Sequence, residues 1–278
     1  MRKINYFALT FACFQIAAYS QYVPYPDEGP AVYVVRVISA GSAQRDAFVA
    51  CLAKSDLPFW RGLKEKGLLA RVSVFETTSV TSSDPGVPAW NFVISSQLAE
   101  GASADSFVQA VEKRKGCETA PGVEVRRIET MRTTPNCNYA RTAAADDLKG
   151  RDSKVVFRIE YFDVKDTPAA LDQFREIMRL NDGPAAGLRI RDGWMFSALA
   201  LETVQVNYSQ PGLPGWNQIH VLGKFPGKEP TDAVRDSYLR QVNPENGGRD
   251  GVYALFAGVI RTVPKVDLAR ELFELALR

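Results

Sequence analysis

The 278-residue chain is short of the residues that most enzyme signatures require. It has one histidine, His220, and four cysteines. No Cys-x-x-Cys pair and no cluster of imidazoles supplies the ligand spacing of a zinc site, so no metal site is expected. Nucleophile elbows and glycine-rich phosphate loops are missing as well, which argues against hydrolase and nucleotide chemistry. Charge of one sign is lacking too: 34 Lys+Arg stand against 32 Asp+Glu. Without clustered excess positive charge there is no basis for a nucleic-acid surface. Beyond residue 20 no apolar run approaches the roughly 20 residues of a membrane span, so stable membrane insertion is not expected.

The first twenty residues differ from the rest. Arg2 and Lys3 precede a mainly apolar run from Ile4 to Ala18, and Ala18-Tyr19-Ser20 offers small residues at the right places for cleavage. This is the three-part pattern of a signal peptide over residues 1–20, and it predicts export to the periplasm or the cell exterior. Removing Arg2 and Lys3 leaves 34 − 2 = 32 cationic against 32 anionic side chains, a formally neutral mature chain. Cys51, Cys117 and Cys137 remain. Cys117 and Cys137 sit in loops on either side of one predicted strand and are the expected disulfide. Cys51 lies on the apolar stripe of a predicted helix and reads as a small buried hydrophobe.

What the chain does contain is itself, twice. "VSVFETTSVTSSDPGVPAWN" (72–91) lies over "ALALETVQVNYSQPGLPGWN" (198–217) at an offset of 126, with nine of twenty positions identical. Gly67 and Gly193, Asp56 and Asp182, and Phe48 and Phe174 continue the match. Each copy reads β-α-β-β-α-β, with the repeated Pro-Gly turn joining its two middle strands as a hairpin. The copies cover residues 31–138 and 153–264. Residues 139–152 form a linker, "GVYALFAGVIR" is the expected last strand, and residues 265–278 are expected to add a C-terminal amphipathic helix through Leu268, Leu272 and Leu275.

This order is the ferredoxin-like unit of the α+β class. Helices cover one face of its sheet, and the other face must be buried against something. Two units in one chain can bury their bare faces on each other, as two subunits would in a dimer. The pattern resembles the dimeric α/β-barrel superfamily in its fused, tandem form. That resemblance implies one intramolecular barrel, as a monomer or a homodimer. Its members include cofactor-independent monooxygenases, small-ring isomerases and haem-handling enzymes, so it implies haem as a possible cofactor. In the haem enzymes a histidine commonly serves in the haem pocket.

Three groups of residues carry the functional reading. With the sheet order 4-1-3-2, Arg36 and Arg158 fall on first strands, Asn91 and Asn217 at the start of third strands, and Glu76 and Glu202 on second strands. A polar row is therefore expected, with Arg36 near Glu76 and Arg158 near Glu202, because a lone charge among Val, Ile and Phe is costly. Its structural reading is an ion pair, or separate residues at strand ends; its functional reading is a pocket with Glu as base and Arg as anion holder. Trp90 and Trp216 are either architectural plugs or the aromatic wall of a ligand site. Alternation from Trp216 puts Gln218 and His220 on its face, where the first copy has Trp90, Phe92 and Ile94. His220 is either a partly exposed or hydrogen-bonded histidine, or a general acid/base or axial ligand. The reading is a barrel that binds a small apolar or aromatic molecule. The alternative is an enzyme whose site lies in the second repeat, around His220, Glu202 and Arg158.

Overall fold

The computed structural model describes residues 28–114, 116–139 and 155–277. The expected signal peptide, and the expected linker apart from Tyr139, lie outside them. Eight strands make one closed barrel in the order β1-β3-β2-β8-β5-β7-β6-β4. They are β1 (Val32–Ala40), β2 (Leu69–Ser83), β3 (Phe92–Leu98), β4 (Val123–Tyr139), β5 (Val156–Val164), β6 (Met195–Ser209), β7 (Gln218–Lys224) and β8 (Ile260–Glu271). The order 4-1-3-2 recurs as 8-5-7-6, so each repeat is a ferredoxin-like sheet. The seams between repeats are the β2–β8 and β4–β6 ladders.

Two layers follow from strand alternation. Val35, Val37, Phe75, Phe157, Ile159 and Ile219 point into the barrel. Val34, Ile38, Val72, Val74 and Ile94 point outward, under the helices of the first repeat. Those helices are α1 (Arg45–Cys51) and α2 (Leu57–Glu65), joined by a π-helical turn at Leu52–Asp56, and α3 (Ala104–Arg114). The second repeat has α4 (Pro168–Ile177), a π-helical turn at Met178–Asp182, α5 (Gly183–Arg191) and α6 (Asp232–Val242). The π turn, the following helix and the hairpin strands all recur at the offset of 126. Thr167 and Thr231 accept from the backbone N–H groups of Ala170 and Val234, and so cap α4 and α6. In the hairpin turns Gly86 and Gly212 take φ near +83° and +80°, which a side chain would resist.

The C-terminal region departs from the sequence expectation. "GVYALFAGVIR" is not the last strand: Gly248–Val259 is a further helix, α7, with no counterpart in the first repeat. The last strand is β8, where the amphipathic helix was expected, and a short turn at Phe273–Leu275 and a bridge between Leu277 and Val72 follow it. Helix propensity yields here to pairing, because β8 is hydrogen-bonded to β2 on one side and β5 on the other and the barrel cannot close without it.

The disulfide also differs. Cys51, at the end of α1, is bonded to Cys117 with Cα atoms 5.8 Å apart. Cys137 is buried, outside this bridge. It lies fourteen residues beyond the start of β4, some 45 Å along an extended strand, whereas a disulfide spans less than about 7 Å between Cα atoms.

Candidate functional site

The polar row expected across each sheet does not form. Arg36 and Glu76 both face the helices, but each meets a different partner. Arg36 is buried and pairs with Glu118 from the turn before β4. Glu76 accepts from Arg45 of α1 at 2.6 and 2.7 Å and pairs with Arg270 of β8 at 2.8 Å. Glu202 repeats the arrangement, with Arg175 of α4 at 2.5 and 2.8 Å and Arg132 of β4 at 3.2 Å. Each glutamate is thus clasped by an arginine of its own repeat and one from the last strand of the other. These arginines hold both carboxyls below the ordinary glutamate range, against the opposing effect of burial. The two glutamates fasten the seams. Arg158 pairs with Glu160, two residues along β5, at 2.6 Å and is not near Glu202.

The tryptophans lie inside the barrel. Trp90 donates its indole N–H to the Tyr161 hydroxyl at 3.0 Å, and Trp216 donates to Glu129 at 2.7 Å. Lys265 and Arg127 sit over their rings, each paired with the carboxylate two residues on, Asp267 and Glu129. Neither tryptophan lines the cavity on the second repeat's outer face or the small one inside the barrel beside Tyr33, Phe75 and Phe157. Asn91 and Asn217 are staples, each accepting from and donating to one backbone position on strand β1 or β5, Ala40 and Val164, at 2.8–3.0 Å. Because the chain turns at these asparagines, alternation does not carry across them. Trp216 faces inward, while Gln218 and His220 face the helices, so the three do not share a face.

On that outer face of the second repeat lies a cavity of about 500 Å³. Its floor is β5 and β7, where Phe162, Glu160 and Arg158 stand opposite Gln218, His220 and Leu222. Trp194 and Met195 wall one side, and Tyr253, Phe256 and Ile260, from α7 and the start of β8, close another. His220 packs against Phe162 with ring centroids 4.7 Å apart and is 6% exposed. Its Nε2 is buried without a hydrogen-bond partner. Burial pulls its pKa below the usual imidazole value, although Glu160 and Asp182 oppose this, so the ring is neutral at pH 7. A neutral imidazole can accept a proton or ligate a metal.

Comparison of the repeats accounts for the cavity. In the first repeat the position of His220 is Ile94, and Trp60 of α2 is buried against the core beneath it. The residue 126 positions after Trp60 is Ala186, packed among Met195, Ala198 and Leu222, and both Met195 and Leu222 line the cavity. Val72 and Val74 likewise become Ala198 and Ala200. The second repeat has lost bulk and gained α7 as a roof. The site therefore gathers His220 and Arg158 and leaves Glu202, Glu76, Arg36, Trp90, Trp216, Asn91, Asn217 and Gln218 outside the lining.

Glu160, Asp182, Trp194 and the α7 residues were missed by the sequence reading. Trp60 against Ala186 was the available signal, since a Trp-to-Ala change within a repeat predicts a void. Among the described residues no group of three or more His, Cys, Asp or Glu could hold a metal ion. No described helix is long and apolar enough to cross a membrane.

No family model and no curated protein matches the chain. Several solved structures are similar in arrangement. A variant of chlorite dismutase from Candidatus Nitrospira defluvii is 11% identical, with a TM-score of 0.47 over 89% of this chain and 94% of that one. The same enzyme in complex with imidazole is 11% identical, with a TM-score of 0.44 over 88% and 93%. An anthrone oxidase-like protein is 15% identical, with a TM-score of 0.43 over 88% and 92%. At these values the likenesses carry no argument about chemistry, and the fold rests on the chain's own topology. By its strand order and closure, this chain has the fold of two tandem ferredoxin-like repeats joined into one intramolecular α/β barrel.

Proposed function

We propose that this protein is an exported binder of a small, largely apolar or aromatic molecule, held between the sheet and helices of its second repeat. The carrying observation is the cavity over His220 of about 500 Å³, where the first repeat keeps only a void of about 10 Å³ beside Arg36 and Trp60. Its volume of about 500 Å³ falls in the 300–1,000 Å³ range of small-molecule sites, and its mixture of aromatic walls with a few charged groups is what such sites use for affinity and orientation. The Cys51–Cys117 bridge supports an oxidising compartment and hence the export reading. The neutral fluorophore N-phenyl-1-naphthylamine tests the binding site. Saturable enhancement that is lost in Leu222→Trp, a variant that fills the cavity floor, supports the reading. Absence of enhancement, or equal enhancement in both proteins, contradicts it.

One observation favours the enzymatic alternative: a buried imidazole nitrogen without a partner is a cost that a binding role would repay. The residues fit a haem. His220 would supply a nitrogen to hold the iron, Phe162, Phe174 and Phe256 the apolar walls, and Arg158, Arg189, Lys224 and Arg235 the partners for its carboxylates. Bound haem would bring redox-active iron. The chain's own residues would orient it, and Glu160 and Asp182 would act on the charge state of the His220 ring. Absorbance titration with haemin tests this reading: a saturable Soret shift lost in His220→Ala supports it, and no shift, or an equal one, removes it.

A further inference from the structure

We infer that the second-repeat cavity takes an elongated aromatic monoanion, with its anionic group at the Lys224–Arg235 end and its apolar body lying over His220 towards Phe162 and Phe256. This deepens, and rests on, the proposed binding of a small molecule there.

The floor of the cavity is ordered along its length. On β7 the side chains that face the helices are Gln218, His220, Leu222 and Lys224, so Lys224 stands about 13 Å from His220 along the strand. On β5 the opposing residues run from Phe162 through Glu160 to Arg158, which lies level with Leu222. One end is therefore aromatic, where Phe174 and Phe256 pack 5.6 Å apart beside the His220 ring. The opposite end is cationic.

The charges do not balance there. Arg158 has Glu160 to itself at 2.6 Å, and Arg189 reaches Asp182 at 3.4 Å. Lys224 and Arg235 share Glu229 at 3.0 and 3.3 Å, and Arg235 also reaches Asp232, outside the lining, at 3.7 Å, a carboxylate that Arg249 holds at 3.3 Å. Four lining cations thus face three lining carboxylates, 4 − 3 = +1, around a neutral His220. A ligand with one negative charge completes the set, and a neutral or cationic ligand leaves it unbalanced. Sulfonate, carboxylate and phenolate groups all meet this requirement, because Lys and Arg donate charge-assisted hydrogen bonds to each.

Two fluorophores with one scaffold separate charge from shape: 8-anilino-1-naphthalenesulfonate carries a sulfonate, and N-phenyl-1-naphthylamine does not. Titrated into the full mature chain, the sulfonate is expected to bind about tenfold more tightly than its neutral counterpart, the scale of one charge-assisted contact. In a Lys224→Gln/Arg235→Gln variant the ratio of the two affinities is expected to fall towards one. In Glu229→Gln, which frees Lys224 and leaves Arg235 with Asp232 alone, it is expected to rise. Glu229 is half exposed and Lys224 and Arg235 lie at the rim, so these variants keep the fold; a far-ultraviolet spectrum and melting curve check this. A wild-type ratio near one, or a ratio that neither variant moves, overturns the anionic class while the small-molecule reading stands. If neither probe binds the wild-type chain, both fall.

Discussion

Trp90 and Trp216, the same residue of the two repeats, meet at the centre of the barrel with ring centroids 5.4 Å apart. Tyr161 packs against both, at 5.2 and 5.1 Å. Duplication has placed each copy of the hairpin where it buries its tryptophan against the other, under a cation from the opposite repeat's last strand. The contact is the molecular form of an intramolecular dimer, and it explains why both copies keep "PAWN" or "PGWN" when much of the rest of their sequence differs.

Either tryptophan changed to alanine should cost about 3–5 kcal/mol, the range for a fully buried aromatic. The double variant should cost less than the sum, because the first change already removes the shared contact. Urea unfolding of the two single variants and the double variant measures this. A strictly additive result would show that the rings do not couple.

The glutamate clasps predict a pH signature. The native state holds the Glu202 carboxyl below its ordinary value, so the stabilisation it gives is present above the unfolded pKa and is lost as pH falls through the folded one. Glu202→Gln should lower stability by about 1–3 kcal/mol at pH 7, the cost of losing charged hydrogen bonds. The difference from wild type should shrink on acidification. Chemical denaturation at neutral and acid pH tests this, and a difference that stays constant with pH would contradict the assignment.

Much of this was legible from residues alone. The repeat, the strand order and the need of each sheet for a second one all follow from the offset of 126 and the alternation of apolar residues. The arginine partners were not legible. Arg45 and Arg175 lie on helices and Arg270 and Arg132 on seam strands, so their approach to Glu76 and Glu202 exists only once the barrel has closed. The register also misled at one point: Arg36 lies beside Ile94, as Glu160 lies beside His220, so the counterpart of Arg36 is Glu160 at an offset of 124 and not Arg158. The C-terminal strand was hidden because "VDLARELFELALR" has helical spacing in isolation, whereas in the barrel Lys265 and Asp267 turn inward to each other.

Reduction should distinguish the two disulfide assignments. Cys51 and Cys117 are 66 residues apart, and a loop of that size is worth about 4 kcal/mol in the chain-entropy account. Dithiothreitol should lower the melting temperature of wild type and of Cys137→Ser, and leave Cys51→Ser unmoved. Loss of the effect in Cys137→Ser would restore the pairing of Cys117 with Cys137.

His220→Ile, which restores the first repeat's residue, should stabilise the protein by about 1–2 kcal/mol at pH 7.5, since it removes a buried nitrogen without a partner. The gap should widen below the imidazole range. Burial lowers the native pKa of His220, so the unfolded chain takes up its proton first and wild-type stability falls with pH. Thermal melts across pH 5–8 measure the trend, and a destabilised variant would mean that the ring has a structural partner after all.

Because the chain holds one histidine, the imidazole signal in a nitrogen-15 spectrum of the untagged protein assigns itself. Following that signal while 8-anilino-1-naphthalenesulfonate is added tests the central claim most directly. If the ligand occupies the second-repeat cavity, the His220 resonance shifts saturably, with the same midpoint as the fluorescence. If fluorescence saturates while the resonance stays in place, the molecule binds elsewhere and the cavity over His220 is not the site.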